Sequence, residues 1–333
     1  AAGFSPMNPQ QEQSRIVVLG GAVVDILARP DEELLPATSN PGVCTESDGG
    51  VGRNIAEVLG RLGSRPLMYS AVGNDSRGRA LKSQLQDECN VIDQIEIVDS
   101  ANTATYLAVM DGSNDLHTAI ADMKVLSQIH SPPVEVLQKA EIIVMDANPP
   151  VSVMKEAALA AVDYGVKVYM DTTSVYKARA IAANKDLLSS ISFIFPNMDE
   201  LVAMAEVVIG SVDDVRPTTL LVDKLKTIRT LAPTLLHEMH PVEAHAVITM
   251  GQDGVLLASR VNDNISFHHF ASNEDIQVLN ATGAGDSLCG AFAHGILEGR
   301  TVADSVSFGM EAARLSLQCS DSAVSPKLSS LIR

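Results

Sequence analysis

Residues 279–292, LNATGAGDSLCGAF, combine three small residues and a carboxylate at the start of an apolar run. Thr282, Gly283, Ala284 and Gly285 carry little or no side chain, so the backbone N–H groups of the turn stay open to a ligand. Bare N–H groups at a helix start favour an anion. An acid in the same turn, Asp286, would repel a phosphate unless it had chemistry to do there. Phosphoryl transfer reconciles the two: Asp286 accepts a proton from an attacking hydroxyl while the N–H groups stabilise charge on the transferring group. The plainer alternative is a tight turn with Asp286 as a helix cap.

Four other stretches carry polar residues at spacings that could hold substrate, nucleotide or metal. In DGGVGRNIAEVLGRLG, residues 48–63, the glycines let a ligand approach the backbone, and Asn54 offers both a donor and an acceptor to a polyhydroxylated substrate. Ile55 stands where a dinucleotide fingerprint needs its third glycine, and the motif does not directly follow the first strand, which argues against a dehydrogenase. In FPNMDEL, Asn197 and Glu200 have capping-box spacing, or alternatively organise Mg²⁺ through its waters. AVITMGQDGVLL reads as strand, Gly-bracketed turn and strand, with Thr249, Gly251 and Gly254 as nucleotide-loop candidates. VMDANPP ends a strand at Asp146 and Asn148, and on its own residues reads as a strand-end turn stiffened by Pro149 and Pro150.

The elements that must position these residues follow from periodicity. RIVVLGGAVVDI, RPLMYSAVG, EIIVMDAN, KVYMDTT, SFIFPN and AHAVITMG are short β-rich runs with helical patterns between them. Ile55, Val58, Leu59 and Leu62 form one helical stripe, and VSVMKEAALAAVDYG reads as another amphipathic helix. The alternation predicts an α/β fold, a mostly parallel sheet covered by helices on both faces, with ligands beyond the carboxyl ends of the strands. Residues 103–123, TATYLAVMDGSNDLHTAIADM, break the rhythm as a β-hairpin. With residues 36–48 they make either a small separate sheet acting as a lid or an edge extension of the main one. Within the hairpin, Thr103, Thr105, His117 and Thr118 alternate between cleft and solvent.

Composition narrows the function classes. The chain has 333 residues, 46% of them hydrophobic, and no apolar run long enough to span a bilayer. With 24 basic against 41 acidic residues and a net charge of −17, it lacks the footprint of a nucleic-acid binder, so an anionic ligand must be held by local dipoles or metal. Cys44, Cys89, Cys289 and Cys319 are isolated, as expected of packing thiols in a reduced intracellular setting. That setting is the cytoplasm, or an organelle such as the peroxisome where an upstream signal has been trimmed. Residues 1–14 read as a flexible tail.

No P-loop and no protein-kinase motif occurs. GGVGRNIAEVLGRLG and ATGAGDSLCGAF, with N-x-x-E between them, resemble the two signatures of the ribokinase-like, or PfkB, carbohydrate kinases over about residues 15–326. The resemblance implies a doubly wound core with a small β lid, and ATP- and Mg²⁺-dependent phosphorylation of a hydroxymethyl group. It maps Asp25, Gly49, Gly50 and Asn54 to sugar binding, Asp286 to the catalytic base, and Gly283, Ala284 and Gly285 to the anion hole. It maps Asn197 and Glu200 to the metal-associated motif, and Thr249, Gly251, Gly254 and Thr282 to the ATP site. Asn280 stands where many members carry an acid in a loop holding a monovalent cation such as K⁺. The hairpin and the neutral NATGAGD look like the pseudouridine kinase branch, which implies a nucleoside substrate phosphorylated on its ribose 5′-oxygen, Thr105 as a further substrate residue with Asp146 and Asn148 as secondary candidates, and a homodimer formed through the lid. The alternatives are another sugar or nucleoside kinase, or a non-catalytic assembly protein of the same fold.

Overall fold

The protein is described from a computed structural model over residues 14–113, 115–210, 219–272, 276–320 and 322–332. Strands β1 (Ile16–Leu19), β2 (Val23–Pro30) and β3 (Gly42–Gly49) are followed by α1 (Val51–Arg61), β4 (Leu67–Gly73), α2 (Ser76–Asp87) and β5 (Ile92–Val98). The hairpin is β6 (Thr105–Met110) and β7 (Leu116–Asp122). The chain then runs through α3 (Val134–Leu137), β8 (Ile142–Met145), α4 (Val151–Asp163), β9 (Lys167–Asp171), α5 (Val175–Ala183), α6 (Lys185–Leu188), β10 (Phe193–Phe195), α7 (Met198–Ile209) and α8 (Leu221–Glu238). It ends with β11 (Glu243–Thr249), β12 (Val255–Val261), β13 (Asn264–Phe270), α9 (Ala284–Leu297) and α10 (Val302–Leu317).

The large sheet has the order β13-β12-β11-β10-β9-β8-β1-β4-β5, parallel from β11 to β5 and antiparallel at β12 and β13. Its central strands are apolar on both sides because both faces are covered. In β1, Ile16 and Val18 enter a core shared with α1, α2 and α9, while Val17 and Leu19 enter the opposite core with α3 to α8. The α1 stripe is fully used, with Ile55, Val58, Leu59 and Leu62 at most 1% exposed. Among the described residues, no helix is long and apolar enough to cross a membrane.

The lid is a separate sheet of order β3-β2-β6-β7, so the edge-extension alternative is not what forms. The run RIVVLGGAVVDI, read as one stretch, divides at Gly20–Ala22: β1 stays in the large sheet and β2 enters the lid. Ser14 is buried and its hydroxyl donates to Ile16 O at 2.9 Å; the rest of the expected tail, residues 1–13, lies outside the described residues. Beyond residue 326, Leu328 is fully buried against Val58 and Leu62.

Where the chain leaves β1, α1 comes close enough that a Cβ on Gly52 would lie 2.6 Å from the Gly20 Cα. Backbone against backbone cannot yield as a side chain does. Gly52→Ala is therefore expected to cost about 1–3 kcal/mol, the usual penalty for overpacking, read as a lowered urea midpoint with an unchanged slope.

Candidate active site

Strand β1 lies between β8 and β4, and the chain proceeds outward from it in both directions. Such a switch point opens a crevice at the carboxyl ends of the strands. Asp146, immediately after β8 and wholly buried, closes the bottom of that crevice. Its Oδ2 accepts from the backbone N–H of Gly21 at 2.9 Å, from that of Gly52 at 2.7 Å and from Asn148 Nδ2 at 2.6 Å. Its Oδ1 accepts from Asn148 N at 2.8 Å. Asp146 is thus a tie between chain segments, and Asn148 is committed both to it and to Lys177, whose Nζ donates to Asn148 Oδ1.

At the start of α9, Gly283 is the left-handed N-cap residue with φ 79°, and a Cβ there would lie 2.3 Å from Ala323 O. Its glycine is spent on conformation and packing. Gly285, by contrast, faces open space. Asp286 sits in the first helical turn, 9% exposed, and does not cap the helix. Its Oδ2 accepts from Asn54 Nδ2 at 2.7 Å. Burial pushes its carboxyl up to about 7; the Asn54 hydrogen bond and Arg53 oppose the rise, while Asp146 and Asp25 add to it. Asp25, half-buried on β2 with its carboxyl against the Gly49 backbone, is raised to about 6, again mainly by burial. Gly50, with φ 93°, leads into α1 as its N-cap.

Three participants have weak sequence signals. Asp171 ends β9 buried, and burial, then the facing Asp286, holds its carboxyl well above the usual range. Two residues on, Thr173 adopts φ 62°, an outlier for a β-branched residue. It is held there by Asp171 Oδ1, which accepts its N–H at 2.8 Å, and its own Oγ1 accepts from Ala147 N at 2.9 Å. Lys177 on α5 is lowered by burial, with Asp146 and Asp171 opposing. Within DTTSVYK only the strand-end Asp and a Lys six residues on could have signalled this corner. Arg53, 2% exposed in α1, is the third, hidden beside the more conspicuous Asn54.

Further along the carboxyl edge, Asn197 and Glu200 form the capping box of α7: Glu200 N donates to Asn197 Oδ1 at 2.9 Å, and Asn197 N to Glu200 Oε2 at 2.8 Å. The same Oε2 accepts from Thr172 Oγ1 at 2.7 Å, linking this corner to β9. A parallel bridge sets Asn197 beside Thr249 at the end of β11, so the N-x-x-E motif and the Gly251–Asp253 turn adjoin, with Gly254 leading back into β12. Among the described residues, no three of His, Cys, Asp and Glu gather as a metal cage. Asn197 Oδ1 and Glu200 Oε2 are engaged by the capping box and Thr172, so a metal beside them would be met through its waters. Asn280 Oδ1 accepts the N–H of exposed Thr282 at 2.9 Å, a turn-forming role in the loop the resemblance associates with K⁺.

In the lid, cross-strand pairing puts Asp25, Ser47 and Tyr106 on one face and Val24, Asp48 and Thr105 on the other. Thr105 thus points away from the Asp25 side, and its hydroxyl donates to Thr103 O at 3.1 Å. Thr103 is itself buried and bound to Asp75, while His117 and Thr118 are exposed.

The pfkB carbohydrate kinase family pattern matches residues 13–328. The chain belongs to that family. It is 28% identical over 313 residues to the pseudouridine kinase of Escherichia coli (strain K12), covering 93% of this chain and 92% of that one. It is 24% identical to the pseudouridine kinase of Arabidopsis thaliana, covering 92% and 91%. Its fold matches that of Arabidopsis thaliana ribokinase complexed with ribose and ATP, with a TM-score of 0.77 at 21% identity, over 96% of this chain and 99% of that one. The doubly wound core and the small mixed sheet, antiparallel at β3/β2 and β6/β7 and parallel at β2/β6, make the ribokinase-like fold.

The raised Asp286 has a stability consequence. A carboxyl whose folded value lies above its unfolded one binds more protons when folded, so stability falls as pH rises from about 4 through about 7. Asp286→Asn removes that buried charge. Its Tm is expected to exceed wild type at pH 8, with the gap closing toward pH 5, as measured by thermal melts across pH.

Proposed function

We propose that this chain transfers the γ-phosphoryl group of ATP to the ribose 5′-hydroxyl of pseudouridine, with Asp286 as the general base. The observation that carries the chemistry is a buried carboxyl near neutrality, one turn into a helix whose Gly285 faces open space. A base poised near the working pH is both available and strong enough to take an alcohol proton. The 5′-oxygen forms its bond to the γ-phosphorus as the bond to the β,γ-bridging oxygen breaks, ADP leaves, and the proton passes to Asp286. The N–H groups of Gly283, Ala284 and Gly285 face the charge that develops on the phosphoryl oxygens. When bound, Mg²⁺ neutralises charge on the phosphates. Glu200 and Asn197 would hold its waters, and Thr249, Gly251, Gly254 and Thr282 would border the nucleotide.

Asp25 and Asn54 suit ribose hydroxyls, and Asp25 shares its lid face with Tyr106. Pseudouridine as substrate rests on the two kinases of that name among the relatives. A monovalent cation near Asn280 would have only a carbonyl-type oxygen from that side chain, without an added charge. Val43, Leu116 and Ile120, large and exposed on the lid, support a second copy covering it.

Asp286→Asn is expected to keep ATP binding and lose about 10²- to 10⁴-fold in kcat, the contribution of a positioned base. More than a tenth of wild-type turnover would make Asp286 a structural residue. Substrate choice is read by ATP consumption over pseudouridine, uridine, ribose and purine nucleosides. Pseudouridine has a ring N–H that uridine lacks, and a site pairing it should prefer pseudouridine by about tenfold or more in kcat/KM, because uridine would leave a buried polar group unpaired. Equal efficiency on uridine or good turnover of ribose would reject that substrate and leave the kinase reading standing.

A further inference from the structure

The Asn54 amide does not stand alone against Asp286. Its Oδ1 accepts from Arg53 Nη1 at 2.9 Å while its Nδ2 donates to Asp286. Arg53 Nη2 donates to Gln84 Oε1 on α2 at 2.8 Å, and the guanidinium lies within 2.7 Å of Glu57 as an ion contact without hydrogen-bond alignment. Glu57 is held in turn by Arg61, with Nη2 to Oε1 at 2.5 Å. Arg53 and Glu57 side chains are 3% and 2% exposed. An arginine buried in α1, hydrogen-bonded to the neighbour of the base rather than to the base itself, is costly to desolvate.

An amide can present either end to a partner, and here both ends are specified. Turning the Asn54 amide over would set its carbonyl oxygen against Asp286 and its NH₂ against the guanidinium, two repulsive contacts for two favourable ones. We propose that Arg53 is a positioning residue for phosphoryl transfer, locking the Asn54 amide so that it donates to one oxygen of Asp286 and leaves the other for the substrate hydroxyl. The inference rests on Asp286 being the base. Arg53 is also a positive charge that opposes, at Asp286, the rise added by Asp146 after β8 and Asp25 from β2, and it opposes the rise at Asp25 and Asp48 too, while Asp171 at the end of β9 faces Asp286 from the other side. Cys289, one turn further along α9, is a further titratable neighbour, Glu200 faces Asp171, and Lys177 faces Asp146 and Asp171.

The test is the pH dependence of kcat/KM with ATP, Mg²⁺ and the best acceptor from the substrate panel. In Arg53→Gln the Asp286 carboxyl loses its cation and its oriented donor, so the acidic limb should move upward by about one pH unit, a typical effect of one nearby charge. At pH 7, kcat should fall about tenfold or more, with KM for ATP within about twofold of wild type. Arg53→Lys keeps the charge but not the planar fork, so its limb should stay near wild type while kcat falls. Gln84→Ala, at a partly exposed position, loosens the guanidinium without unbalancing charge and should lower kcat several-fold. It provides the measurement should Arg53→Gln not fold. A merely structural Arg53 would lower Tm and leave the limb and the turnover per folded molecule unchanged in every folded variant, which overturns the proposal. An active Asp286→Asn would instead overturn the base assignment, so the two failures are distinguishable.

Discussion

The buried carboxyl of Asp146 is the knot on which the site depends. Two of its hydrogen bonds go to the N–H groups of Gly21 and Gly52, one just past β1 and one in the first turn of α1. They clamp the switch point of the sheet to the helix that carries Arg53 and Asn54. The clamp is possible only because glycines let the two backbones meet, and the Gly20–Gly52 approach leaves no room for a Cβ. From this point α1 presents Asn54 to α9, and α9 presents Asp286 to the crevice. A hydrogen bond between residues remote in sequence, Asn54 and Asp286, then joins the two halves.

Crowding is the electrostatic counterpart of that geometry. Asp25, Asp146, Asp171 and Asp286 converge where water is largely excluded, and burial is the first cause of the raised carboxyls at Asp25, Asp171 and Asp286. Such a cluster works against folding at neutral pH and favours proton transfer, the usual opposition between stability and a prepared active site. Arg53, buried, and Lys177, half-buried, are cations that temper it. Strained Thr173 belongs to the same corner.

The corner at Asn197 and Glu200 is built differently. There Asn197, Glu200 and Thr172 satisfy one another, and the capping box that ends β10 and starts α7 is also the link to Thr249. Capping and ligand organisation need not compete, because the box fixes the backbone edge along which a nucleotide would lie. The lid adds a second sheet whose two faces have different duties, with Asp25 and Tyr106 on one and Thr105 on the other.

Local sequence determined a good deal. Continuous apolar runs announced the buried strands, the 3.6-residue stripe of Ile55, Val58, Leu59 and Leu62 announced α1, and GAGD announced a helix start with open N–H groups, because each of these signals is carried by residues adjacent on one element. The separate hairpin was legible for the same reason. Tertiary structure decided what adjacency cannot: that RIVVLGGAVVDI divides between two sheets, that Thr105 faces away from Asp25, and that Gly283 serves packing against Ala323 while Gly285 stays open. It also decided that Asp146 is a tie and that Asp171, Lys177 and Arg53 gather around Asp286 and Asp146. Those outcomes depend on which segments the sheet order brings together and on which groups lose water there, and no local pattern encodes either.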